Sequence, residues 1–191
     1  MKSVIVDKIA SVAQHSELGH ELRLSADIPC EEGVLIAVRV LNNKARYNQL
    51  ELTSGRMATV NQGDVVVGAL GHRKALRGYS GHLPTALSAG DSIQLLNIGG
   101  VLGICDSANP DVGAPFDCEV LGTVLHFPYL GERIGVPARA GSSQLDEAAV
   151  LDTKGVPVVA LAGTCMDSGK TAAACAIVGR LRHRGLHVAA C

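Results

Sequence analysis

Val156-Pro157-Val158-Val159-Ala160-Leu161-Ala162 runs directly into Gly163-Thr164-Cys165-Met166-Asp167-Ser168-Gly169-Lys170-Thr171, and the reading of the chain turns on this stretch. The first seven residues are apolar without polar alternation, the pattern of a strand covered on both faces. The next nine form a glycine-flanked loop that ends on Gly-Lys-Thr, the spelling of a phosphate-cradling loop between a strand and a helix. In such a loop successive backbone N–H groups point at an anion, and the following helix offers it the positive end of its dipole. Gly169 lets the backbone come close to phosphates, Lys170 is placed to reach the β- and γ-phosphates, and the Thr171 hydroxyl is placed to ligate Mg²⁺. Gly163, Thr164, Asp167 and Ser168 complete the candidate nucleotide-binding set, with Lys170 the candidate catalytic residue. One letter departs from the usual G-x-x-x-x-G-K-[ST]: Thr164 holds the first glycine position, and the glycine stands one residue earlier.

The residues downstream fit the same reading. Ala173, Ile177 and Leu181 recur at helical spacing, with Val178 beside them. Arg180, Arg182, His183 and Arg184 gather where a helix would end and favour positive charge, and Gly185 follows as a natural C′ residue. Residues 186–191 look like a second strand, which gives strand, loop, helix, strand: the first βαβ unit of a parallel-sheet α/β domain. Only 191 − 171 = 20 residues follow Thr171, whereas a doubly wound domain needs on the order of 150. The sequence therefore reads as the N-terminal part of a longer protein. Taken as 191 residues, it is expected to be inactive, with millimolar or no affinity for Mg-ATP.

Upstream, from Met1 to about Pro137, short β-like runs alternate with glycine turns. The candidate strands are 3–9, 21–26, 34–41, 47–52, 57–60, 64–70, 92–96, 101–105 and 118–126, a pattern that predicts an all-β, barrel-like domain. Residues 138–155 read as a linker with a short helix start near Ser143, so the expected organisation is 1–137, 138–155 and 156–191. Asn61-Gln62-Gly63-Asp64 and Ser88-Ala89-Gly90-Asp91 look alike, although Gly-Asp turns are common enough for coincidence.

Two loops in this domain carry more chemistry than a connection needs. Residues 71–82 hold His72, Arg73, Lys74, Arg77 and His82 among three glycines. This is either a basic loop for a carboxylate or phosphate, with His72, Arg73, Arg77 and His82 as candidate substrate residues, or a solvated loop. Residues 105–118 form an Asp/Asn/Pro loop between Cys105 and Cys118. With His72 and His82 these cysteines would make a zinc shell in principle, but their spacing matches no closed zinc motif, which favours an ordinary Asx-turn loop.

Composition narrows the function classes. A net charge of −1 gives no overall attraction to nucleic acid or an anionic membrane, and 3% aromatics with no Trp offer little for base stacking. The N-terminus lacks the pattern of a signal peptide, no apolar run is long enough to span a bilayer, and six cysteines without a C-x-x-C pair suit a reducing compartment. A cytoplasmic protein is expected. Its partners are a nucleotide, a small acidic substrate and, at most, a second copy of the chain.

The spelling Gly163-Thr164 … Gly169-Lys170-Thr171, with Asp167 in the variable part, resembles the loops of dethiobiotin synthetase and of the cobyrinic and cobyric acid synthases. The resemblance covers residues 156–191. It implies a parallel-sheet P-loop fold, ATP and Mg²⁺ as cofactors, and activation of a carboxylate or carbamate as a phosphate anhydride. The β-rich first domain is unlike any part of those enzymes and resembles the leading domain of uncharacterised bacterial P-loop ATP-binding proteins. The lysine near the loop start that marks the MinD-like group is absent; Thr164 or Cys165 stands there. The alternative reading is a nucleotide-switched protein that matures or delivers a metal or a partner, with the loops at 71–82 and 105–118 as its ligand site.

Overall fold

The computed structural model describes every residue except 76–77, 130, 132, 142–151, 166–167 and 191. The chain divides into two units, Met1–Gln144 and Leu145–Cys191. The expected short helix near Ser143 lies outside the described residues.

The strands of the first unit are β1 (Lys2–Ile5), β2 (Lys8–Ile9), β3 (Glu21–Ser25), β4 (Leu35–Val40), β5 (Gln49–Glu51), β6 (Met57–Thr59), β7 (Val65–Leu70), β8 (Tyr79–His82), β9 (Ser92–Leu95), β10 (Val101–Ala108), β11 (Phe116–His126) and β12 (Val136–Pro137). A 3₁₀ helix spans Ser11–Ser16. Ten strands form one sheet with the path β1-β3-β11-β4-β7-β10-β8, while β5 and β6 pair separately. The barrel-like expectation is corrected: this is not a closed barrel. The sheet runs from an outer strand β1 to an outer strand β8, although β9 pairs with both β10 and β11. Turn spacing counts strands but does not say which edges meet, because closure depends on pairings far apart in sequence.

The middle of the sheet explains its composition. In β4, Ile36, Val38 and Val40 enter one apolar cluster while Leu35 and Ala37 enter another. In β7, Val66 and Leu70 join the first, and Val65, Val67 and Ala69 join the second. Both strands are thus covered on both faces, which is why Leu-Ile-Ala-Val and Val-Val-Val show no polar alternation. Phe116, Cys118 and Val120 of β11 and Leu102 of β10 complete the first cluster. Leu22 and Leu24 of β3 lie in the second, and the intervening residues of β3 point outward, as a half-exposed strand requires.

The two Gly-Asp turns are built alike. Asp64 Oδ2 accepts from Asn61 N and Asp91 Oδ2 accepts from Ser88 N, both at 2.7 Å. Gly63 N donates to Val40 O and Gly90 N to Val120 O, both at 2.8 Å. Val40 N and Val120 N donate back to Asp64 O and Asp91 O at 2.9 Å. Each turn therefore fastens the start of its following strand, β7 or β9, to a valine of a neighbouring one. The likeness in sequence reflects the same local construction.

In the second unit only one element forms among the described residues: helix α1, Lys170–His183. Its end follows the expected pattern, with Gly185 at φ 82°, Leu186 N donating to Leu181 O at 3.1 Å and Gly185 N to Arg182 O at 2.9 Å. The expected βαβ unit is not shown among the described residues. Residues 156–162 and 186–190 have no ladder partner, and Val156, Val158 and Val159 are 64–73% exposed. An unalternated apolar segment becomes a strand only when neighbours take up its backbone groups, and the described residues supply none. Also among the described residues, no helix is long and apolar enough to cross a membrane.

Candidate functional site

The candidate phosphate loop lies in the second unit. Gly169 has a left-handed backbone, φ 85°, at the N-cap of α1, and as a glycine it brings no capping side chain to the helix's first N–H groups. Lys170 Nζ folds back over the loop, donating to Cys165 O at 2.7 Å and to Ser168 Oγ at 3.3 Å. Gly163 sits so close beneath Ser168 and Lys170 that a Cβ there would overlap the Ser168 hydroxyl. An open cavity of about 330 Å³ is lined by Gly163, Thr164, Ser168, Gly169 and Lys170. The structure thus gathers five of the seven expected residues around one space. Thr171 follows on the first turn of α1 with an exposed side chain, and Asp167 lies outside the described residues.

The basic stretch of the first unit is organised differently from a loop. Arg73 and Gly81 exchange both backbone hydrogen bonds at 2.9 Å, and β8 pairs with β10 from Ile104↔His82 onward. The Arg73 guanidinium is spent internally, donating to Leu96 O and, at 3.4 Å, to the Tyr47 hydroxyl. His72 Nδ1 accepts from Leu83 N at 3.4 Å, and His82 Nδ1 lies 2.7 Å from Asp106 Oδ1. Arg77 lies outside the described residues. Residues 105–108 belong to β10 and 116–118 to β11, which shortens the Asp/Asn/Pro loop to 109–115. No group of three or more His, Cys, Asp or Glu side chains converges among the described residues, and Cys118 is buried with its thiol directed at Phe116 O.

A larger cavity in the first unit, about 410 Å³, is lined with hydroxyls and amides and holds no Lys or Arg. Its one carboxylate, Glu51, accepts from Ser11 Oγ at 2.7 Å. That lining does not suit a phosphate.

The sequence reading passed over a cluster around Tyr79. This ring is 1% exposed and packs edge-on against Tyr47, with centroids 5.6 Å apart. Its hydroxyl lies 3.3 Å from Val112 O and 3.2 Å from Ala114 O, and it accepts from Lys44 Nζ. Burial pushes the Tyr79 phenol up to about 12; Tyr47 and Cys105 add to this and Arg73 opposes it. Burial likewise pushes the Cys118 thiol up to about 12, with Asp117 adding. Both groups are held neutral in the fold. The stability they contribute is complete below their ordinary pKa values and is lost as pH climbs from there towards 12. With three tyrosines and no Trp, tyrosinate absorbance reads this directly. Tyr79 is expected to ionise last, together with loss of the β signal in circular dichroism. Three tyrosines titrating together at the ordinary value in a folded protein would contradict the burial argument.

Comparison with known proteins finds no matching family model, no curated relative and no solved structure. The functional reading rests on the loop and its chemistry.

Proposed function

We propose that Gly163–Thr171 binds the phosphates of a nucleotide, ATP with Mg²⁺, and that the protein uses it in ligase-like activation of a carboxylate. One observation carries the nucleotide part. Lys170, at the first position of α1, reaches back to Cys165 O and Ser168 Oγ, beside helix N–H groups whose N-cap residue, Gly169, has no capping side chain. Those acceptors hold the ammonium where phosphate oxygens would take it over, and the uncapped N–H groups suit the same anion. In this reading Lys170 binds and orients the β- and γ-phosphates, Thr171 holds Mg²⁺, and Gly163 and Gly169 allow the backbone to close around them. The carboxylate part rests on the resemblance of the loop's spelling alone.

Cys165 offers a direct test, because its side chain is exposed and its carbonyl already contacts Lys170. Millimolar Mg-ATP is expected to slow alkylation of Cys165 severalfold while leaving Cys175, on the exposed face of α1, unprotected. Magnesium with adenosine, which lacks phosphates, is expected to protect neither. Equal alkylation of Cys165 with and without Mg-ATP would refute phosphate binding at this loop.

A further inference from the structure

The cavity of about 410 Å³ in the first unit lies where three separate segments meet: the start of the 3₁₀ helix at Ser11, the β5–β6 turn at 52–56 and the β9–β10 turn at 96–100. Backbone bonds between those segments set its walls. Val12 N donates to Gly99 O at 3.0 Å, Glu51 N to Ile98 O at 2.7 Å and Thr53 N to Ile9 O at 3.2 Å. The space is therefore formed before anything enters it, and its volume falls in the range of about 300 to 1,000 Å³ usual for small-molecule sites. Two polar groups on its walls are half used. Glu51 Oε2 accepts from Ser11 Oγ at 2.7 Å, but among the described residues its other oxygen has no hydrogen bond and no cation pairs with the carboxylate. Asn97 Oδ1 accepts from Val101 N at 2.9 Å, but its amide nitrogen has no partner among the described residues. The hydroxyl residues Thr53 and Ser54 border the same space. Gly99 leaves room between these groups, for a Cβ there would stand 3.5 Å from Ser11 Oγ and 3.6 Å from Asn97 Oδ1.

We propose that this cavity binds a small hydroxylated ammonium, an amino sugar or amino alcohol, with the ammonium on the free Glu51 oxygen and the hydroxyls on Asn97, Thr53 and Ser54. A carboxylate without a counter-ion attracts a cation and repels an anion, while amide and hydroxyl groups match the mixed donors and acceptors of an alcohol. Val12, Leu52 and Val101 on the same walls suit the ligand's C–H groups. The site is independent of the phosphate loop, which belongs to the other unit.

The test titrates the full chain with D-glucosamine hydrochloride at slightly acidic pH, where the amine is protonated, and follows the backbone amides by two-dimensional NMR. Binding in the millimolar range is expected, with shifts confined to residues 11–14, 51–55 and 97–101. D-glucose has comparable hydroxyls without the charge, and n-butylammonium has the charge without the hydroxyls. Each is expected to bind at least about tenfold more weakly, the loss that follows from removing a charge-assisted bond or a set of neutral ones. Glu51→Gln keeps an acceptor for Ser11 and removes the charge. It is expected to weaken glucosamine binding about tenfold or more and to leave glucose binding unchanged. If that variant does not fold, the comparison of the three ligands on the wild type decides alone. No binding, or shifts scattered over the surface, overturns the proposal. So does glucose or n-butylammonium binding as tightly as glucosamine, or a folded Glu51→Gln that binds glucosamine like the wild type.

Discussion

Lys170→Ala is expected to strip the protein of ATP turnover and to weaken nucleotide binding by about 10- to 150-fold. These figures follow from losing a charge-assisted hydrogen bond to phosphate, about 1.5 to 3 kcal/mol. Turnover falls further, because charge that develops on the transferred phosphoryl group loses its main cationic partner, and one such donor is worth about 10²- to 10³-fold in rate. The fold has little stake in this residue. Among the described residues the Lys170 ammonium bonds Cys165 O and Ser168 Oγ of its own loop, and α1 buries no residue. Circular dichroism and the unfolding midpoint are therefore expected to match the wild type, which separates a binding defect from misfolding. Lys170→Arg keeps the charge but not the compact head group, and is expected to recover affinity more than turnover. Turnover near the wild-type rate in Lys170→Ala would sink the nucleotide assignment.

Gly100→Ala is expected to destabilise the first unit by about 2 to 4 kcal/mol, a large share of the 5 to 15 kcal/mol that holds an ordinary domain together. Two costs combine there. Gly100 has φ 96°, a conformation that strains any side chain, and a Cβ built on it would overlap that of Ala10 and lie 3.3 Å from Val12 Cγ1. Neither neighbour can easily retreat. Ala10 is fully buried, and its N–H donates to Val67 O at 3.1 Å. Gly100 O in turn accepts from Ala69 N at 3.0 Å, and it lies where a Cβ on Gly68 would be. Gly113→Ala separates the two costs. Its φ is 69° but nothing lies within 4 Å of the added Cβ, so only about 1 kcal/mol is expected. Urea unfolding followed by tyrosine fluorescence measures both. Equal effects at the two positions would show that the Ala10 contact relaxes freely.

Local patterns predicted most of the strands. Residues 21–26, 34–41 and 64–70 carry β-branched or leucine-rich runs between turn residues, and β3, β4 and β7 lie within them. β8 was missed because Tyr79-Ser80-Gly81-His82 has neither alternation nor branched residues; its place is set by β10 and by the Arg73–Gly81 bridge. The same non-locality decides the fate of the cations. Arg73 reads as a free ligand-binding group, yet its guanidinium partner, Leu96 O, is 23 residues away. Lys44 carries no motif at all; its neighbours Tyr79 and Phe116 come from separate strands. The spelling of the candidate phosphate loop is local, within nine residues. The strands expected beside it are not, since a strand takes its structure from neighbours.

β4 and β7 have a consequence for how the sheet keeps its alignment. Apart from Arg39, which faces Glu119 at 3.2 Å, their residues are apolar in both directions. Sliding either strand by one position would exchange one oily face for another, so hydrophobicity gives almost no parity signal. Parity must be kept at the ends instead. The paired clasps at Asn61–Asp64 and Ser88–Asp91 lock two strand beginnings to Val40 and Val120. Gly68 has room at only one alignment, against the Gly100 carbonyl. Drift in the valines and isoleucines can therefore be absorbed as a change of volume. A change in a clasp removes the mark by which the sheet counts its residues.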